Sequence, residues 1–266
     1  MSVSQVVHRD ANQESAVDLA RETIYRFLAA VFSDPRRCES RLAIDAANVE
    51  AVRVAAELLR TELGEVSRPL GLGELPAEDL NVTGLLNELA RPDNEIHGEY
   101  TRLFGLITCR ECPPYETEYC ANDDTFYRSQ QMADISGFYS AFGLQVATEL
   151  RERPDFLPLE LEFEAFLLMK MRLGSALNTP DGSEHVRVCR DARSAFFRDR
   201  LSWWAPSFSL AVRRMVTTGL YHEAARVLAA FLPLERAAFN VAAPPLPILH
   251  AASDESADAC EGCALR

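Results

Sequence analysis

At 266 residues the chain has room for one large domain or two small ones and for a sizeable apolar core. Its 27 basic and 40 acidic side chains leave a net charge of -13, which disfavours a nucleic-acid partner and favours a basic or polar one, or simply serves solubility. No segment approaches the roughly 20 apolar residues of a membrane span, and the N-terminus lacks the basic and apolar run of a secretory signal, so a cytoplasmic location is expected.

Val17, Ala20, Ile24, Phe27, Leu28 and Val31 recur at steps of three and four and predict a core helix ending near Ser33, Asp34 and Pro35. A weaker pattern from Leu42 to Leu59 predicts a second helix, followed by a linker from Gly64 to Pro76 punctuated by Gly and Pro. Gly71 and Gly73 imitate the start of a dinucleotide fingerprint, but Pro76 replaces its third glycine and no strand precedes it. A short helix is expected from Gly84 to Ala90. After Pro92 a stronger one places Ile96, Tyr100, Leu103, Phe104 and Ile107 on one face.

That helix leads into Cys109 to Tyr119, where Pro113 and Pro114 remove two backbone donors and forbid helix. A stiff loop presenting Tyr115, Glu116, Glu118 and Tyr119 is suited to binding, since a preset backbone loses little entropy. The alternative is an ordinary connection whose tyrosines fold back on the core. Asp123 and Asp124 can cap the next helix, from Phe126 to Phe142, with Gly143 as its terminator.

The densest apolar segment begins at Pro154. Asp155 is placed to accept hydrogen bonds from the first free amides of a helix, with Pro158 in the first turn. Glu160 and Glu162 lie about 200° apart around its axis, so at least one meets the interior or a groove. Glu160, close to the positive end of the helix dipole, is the one expected to be partly solvated. Further helices are expected from Ser183 to Phe197, broken at Trp203 to Pro206, then from Ser207 to Val216 and from Leu220 to Pro233. The fold class is therefore all-α. A helical domain over 14–240 is expected between a flexible N-terminus, 1–13, and a mobile Pro-rich and acidic tail, 241–266.

No histidine lies three residues after a glutamate, and no zinc helix, nucleophile elbow or phosphate-binding glycine loop occurs, so no catalytic residue is assigned. Seven cysteines include two Cys-x-x-Cys pairs, Cys109 with Cys112 and Cys260 with Cys263. They leave open a second class of function, a small helical metal-binding or dithiol redox protein.

Three segments in order, Tyr100-Thr-Arg-Leu-Phe104-Gly, Cys112-Pro-Pro-Tyr-Glu-Thr-Glu-Tyr119 and Pro154-Asp-Phe-Leu-Pro158-Leu-Glu-Leu-Glu-Phe163, resemble those of the TorD/NarJ family of cytosolic molybdoenzyme chaperones. The form of the second is most similar to the branch serving type II enzymes of the dimethyl sulfoxide reductase family. The resemblance implies a TorD-like helical bundle without catalytic activity or a cofactor of its own. It would hold the catalytic subunit of a molybdopterin guanine dinucleotide enzyme, by its leader peptide or its apo-form, until the cofactor is inserted and export is allowed. The cofactor and its delivery proteins are further candidate partners. Tyr100, Phe104, Pro114, Tyr115, Tyr119 and Pro158 would supply an apolar client surface, and Glu116, Asp155, Glu160 and Glu162 a carboxylate rim for a twin-arginine leader. Phe156 stands where the family often has histidine, so no role of that histidine is carried over.

Overall fold

The computed structural model describes residues 11–36, 46–64, 69–105, 111–122 and 124–244. The helices are α1 (Ala11–Phe32), α2 (Ala46–Leu63), α3 (Thr83–Leu89), α4 (Asp93–Phe104), α5 (Thr125–Ala141), α6 (Leu157–Leu177), α7 (Pro180–Phe196), α8 (Ser202–Met215) and α9 (Leu220–Phe239). Among the described residues the one extended pairing is an isolated bridge between Tyr115 and Phe156. The expected flexible N-terminus lies mostly, and the expected tail almost wholly, outside the described residues, as do Ile107, Cys109, Asp123, Cys260 and Cys263.

The chain forms an all-α bundle around one core. α6 is its axis. Apolar on most sides, it packs on α1 and α7; α1 also packs on α2 and α9, and α9 takes α3, α4 and α8 on its flanks. Asp124 caps α5 by accepting from the Phe126 amide, and Gly143 follows that helix at φ +73°, both as the sequence predicts.

Three helix boundaries differ from expectation. α7 starts at Pro180 instead of Ser183, because Thr179 accepts from the Gly182 amide and Pro180 fills a first-turn position that needs no donor. Pro206 does not break the chain. A π turn, Phe197–Leu201, joins α7 to α8 and Pro206 sits inside α8, where the ladder just after the π turn is already irregular. Pro233 does not end α9, which continues to Phe239. The carbonyl that Pro233 leaves without its helical donor is that of Ala229, and the Leu75 amide donates to it from the linker at 3.0 Å.

The same linker is pinned twice more. Arg236 of α9 makes a bidentate pair with Glu74 at 2.6 Å, both side chains buried. Gly73, at φ +96°, lies so close to α8 that a Cβ would stand 2.2 Å from the Pro206 carbonyl oxygen. The pair of glycines thus serves close backbone approach, not phosphate binding.

A buried charge network joins four helices. Arg193 (α7) donates to Glu164 (α6) at 2.7 Å and to Glu235 (α9) at 2.5 Å, and on α1 Arg21 reaches Glu235 at 2.8 Å while the Tyr25 hydroxyl donates to it at 3.0 Å. Burial outweighs the pull of Arg193 and pushes Glu164 up to about 7. Between the ordinary carboxylate range and about 7 the folded chain therefore binds more protons than the unfolded one, and stability falls as pH rises through that window. Urea unfolding at pH 5, 6 and 7 is expected to show this fall. Glu164→Gln is expected to flatten it by up to about 1.4 kcal/mol per pH unit; an unchanged slope would exclude Glu164 as its source.

Candidate functional site

The proline segment and the approach to α6 form one unit. The Glu116 amide donates to the Asp155 carbonyl, and the Leu157 amide to the Pro114 carbonyl, each at 2.9 Å. This two-bond antiparallel clip suits a strand in which Pro113 and Pro114 have no amide to offer. A 3₁₀ turn, Glu116–Tyr119, follows and carries the chain inward.

Asp155 is fully buried at the centre. It does not cap α6 as expected. Phe156 is the N-cap position and makes no side-chain cap, because the Asp155 carboxylate faces the loop. It accepts from the Thr117 amide at 3.1 Å and hydroxyl at 2.8 Å, and from Arg153 at 2.9 and 2.6 Å. Arg153 also reaches Glu118 at 2.8 Å and lies 4.5 Å from the centre of the Tyr115 ring. Tyr115 packs on Phe156 at 5.3 Å and donates to Glu152 at 2.9 Å; burial first, then the Glu152 charge, raise its hydroxyl above the ordinary value.

Deeper in, Glu116 and Glu160 are 1% and 0% exposed. The neighbouring indoles of α8 serve one each: Trp203 donates to Glu116 and Trp204 to Glu160, both at 3.2 Å. Arg200 of the π turn stands 3.4 Å from Glu116 and donates to Gln131 of α5 at 2.6 Å. Burial pushes both carboxyls up, Glu160 well above the usual range. Tyr119 packs on Trp204 at 5.3 Å.

The expectation for α6 is thus reversed: Glu160 is buried, and Glu162 is exposed. α6 begins beneath the loop, so its first turn faces protein instead of water. Nor do Glu116, Asp155 and Glu160 form a solvent-facing rim, since all three are buried and held by internal donors. Pro114, Tyr115, Glu116, Tyr119, Asp155, Pro158 and Glu160 belong to this one unit. Tyr100 and Phe104 lie instead in an aromatic cluster of α4, α8 and α9, with Phe104 5.1 Å from Tyr221 and 6.1 Å from Phe208.

Glu162 lines a different feature, a groove of about 790 Å³ between α1, α2, α6 and the segment 144–146. Its walls are mainly apolar, with Phe27, Val52, Val146, Leu159, Phe163 and Phe166 among them, and Arg26 lines it from α1. Arg153, Trp203 and Trp204 are partners of the candidate residues that the sequence reading missed. The available signal was chemical, because buried carboxylates require donors and an indole N–H requires an acceptor.

For a metal or dithiol site the described residues offer little support. Among them no group of three or more His, Cys, Asp or Glu could hold a metal ion. Cys112 and Cys120 are buried, and burial pushes the Cys120 thiol up to about 11, so it stays protonated at neutral pH. Among the described residues no helix is long and apolar enough to cross a membrane.

Residues 73–209 match the family model described as nitrate reductase delta subunit. A protein named chaperone protein TorD from Vibrio cholerae O395 is 30% identical over 142 residues, 53% of this chain and 61% of that protein. A Vibrio parahaemolyticus protein of the same name is 25% identical over 173 residues, 63% of this chain and 77% of its own. One from Vibrio vulnificus YJ016 is 24% identical over 141 residues, 53% of this chain and 62% of its own. The match thus spans less than two thirds of the Vibrio cholerae and Vibrio vulnificus relatives.

Proposed function

This chain belongs to the nitrate reductase delta subunit family, the TorD/NarJ family, and from that premise we propose that it is a cytoplasmic, non-catalytic chaperone for a molybdoenzyme. Its client is the catalytic subunit of a type II enzyme of the dimethyl sulfoxide reductase family, bound through the leader peptide before molybdopterin guanine dinucleotide is inserted and export proceeds. The chaperone name of the relatives supports the class of function. The observation that carries the leader reading is the groove beside α6: apolar walls for the leader's apolar segment, and the exposed carboxylate of Glu162 for its arginines.

The ten residues named from the sequence then divide into two roles. Tyr115, half-buried, and Glu162, exposed, offer surface to a client. Tyr100, Pro114, Glu116, Tyr119, Asp155, Pro158 and Glu160 are buried and hold the framework, with half-buried Phe104 packed among core aromatics. Burying about four large apolar side chains gains roughly 6 to 12 kcal/mol. Ordering the peptide offsets roughly 2 to 5 kcal/mol of it, and a remainder of about 8 kcal/mol, toward the upper end of that range, corresponds to micromolar affinity. Arg26 repels a guanidinium and Glu162 attracts it, so the two fix the direction of the peptide.

Calorimetric titration with the N-terminal peptide of a molybdoenzyme catalytic subunit encoded beside this protein is the test. Binding near micromolar is expected, and Glu162→Lys is expected to weaken it about tenfold or more, some 1.4 kcal/mol. Weakening by Tyr115→Ala alone would move the site to the proline loop. No binding to the folded protein would remove the leader mechanism, leaving the apo-form of the subunit as the client to be tested by co-purification.

A further inference from the structure

We propose that Glu116 and Glu160 share a single proton, forming a clasp that fastens the proline loop to α6 and α8 and lets go when that proton leaves for solvent. The geometry leaves few other arrangements. Glu116 is on the loop and Glu160 on the first turns of α6, and both are buried. One oxygen of each takes an indole N–H from α8. The remaining two, Oε2 of Glu116 and Oε1 of Glu160, have no donor of another kind among the described residues. The two carboxyls are in hydrogen-bond contact with each other. Two carboxylates are acceptors only, so such a contact requires a proton on one of them.

The surroundings assign that proton. Arg200 stands beside Glu116 alone of the pair, and it is shared with Gln131 and, at 3.6 Å, with Asp134 of α5. One cation thus offsets one negative charge. The other groups facing the pair add no second cation. Asp155, from the segment before α6, is itself neutralised by Arg153, while Tyr139 of α5 and Cys120 of the loop are held protonated by burial. Glu162, on α6, is a further negative charge. Glu160, the more buried carboxyl and the one without an arginine, therefore keeps the proton and donates it to Glu116. Loss of the proton leaves two anions in contact away from water, and the loop is the part able to move. This holds whatever the loop binds.

The chain has two tryptophans, and both donate to the pair, so tryptophan emission reports its titration directly. Wild-type emission is expected to titrate above the ordinary carboxylate range, because burial raises both carboxyls. Amide exchange over residues 114–120 should accelerate at least tenfold beyond the intrinsic base effect through the same titration. Glu160→Gln keeps a donor toward Glu116 and an acceptor for Trp204, and it should abolish both changes with the far-ultraviolet dichroism unaltered. Glu116→Gln removes the neighbouring charge and should move the emission titration at least one unit lower. Emission that stays flat in the folded wild type, a titration that persists in Glu160→Gln, or loop exchange that ignores the titration would each overturn the proposal.

Discussion

Replacing Arg193 with Met is expected to destabilise the protein by about 3 to 5 kcal/mol. Glu164 and Glu235 are both fully buried and both rely on this guanidinium. Its removal leaves Glu164 without a cation and Glu235 with Arg21 alone. Glu164 then stays protonated in the folded state to higher pH than before, so the loss should grow as pH rises above about 7, where the wild-type carboxyl gives up its proton. Urea unfolding below and above that pH checks both size and sign. Adding Glu164→Gln to Arg193→Met should recover a substantial part of the loss, because the charge left stranded is removed as well. A double variant no more stable than Arg193→Met would show instead that the guanidinium's contact with the Tyr25 and Phe239 rings is what matters.

Asp155→Ala is the second large effect, expected at about 2 to 3 kcal/mol. It orphans the buried Thr117 amide and hydroxyl, each at a cost of order 1 kcal/mol or more. The charge pair itself contributes less, since Arg153 is 37% exposed and can turn to water. Asp155→Asn keeps an acceptor for Thr117 and should lose clearly less. The two variants, compared by unfolding and by amide exchange at Thr117, separate the hydrogen bonds from the charge. Equal losses would mean that the charge dominates.

Local pattern sufficed for much of the bundle. The stripe of α1, the cap of α5 at Asp124, the stop at Gly143 and Pro158 in the first turn of α6 all follow from neighbours in the sequence. The misread positions share a different cause. Pro233 looks like a terminus until Leu75, far away in sequence, supplies an amide to Ala229. Asp155 looks like a cap until Thr117 and Arg153 take its carboxylate. Glu160 looks solvated because nothing near it in sequence says that a loop will cover the start of α6 or that Trp204 will meet it there. In each case a group with unmet hydrogen bonds was visible, and the partner that satisfied it was not. The groove beside Glu162 is hidden for the same reason, being the space left between α1, α2 and α6 once they have packed.

The order in which the chain is made gives α9 one further meaning. It is the last helix among the described residues, yet α1, α3, α4 and α8 all rest on it, and its middle turn is completed by the Leu75 amide. While α9 is still inside the ribosome, the earlier helices have apolar faces that it has yet to cover. The chain therefore passes through an unfinished state of its own, and its core closes only once α9 has emerged.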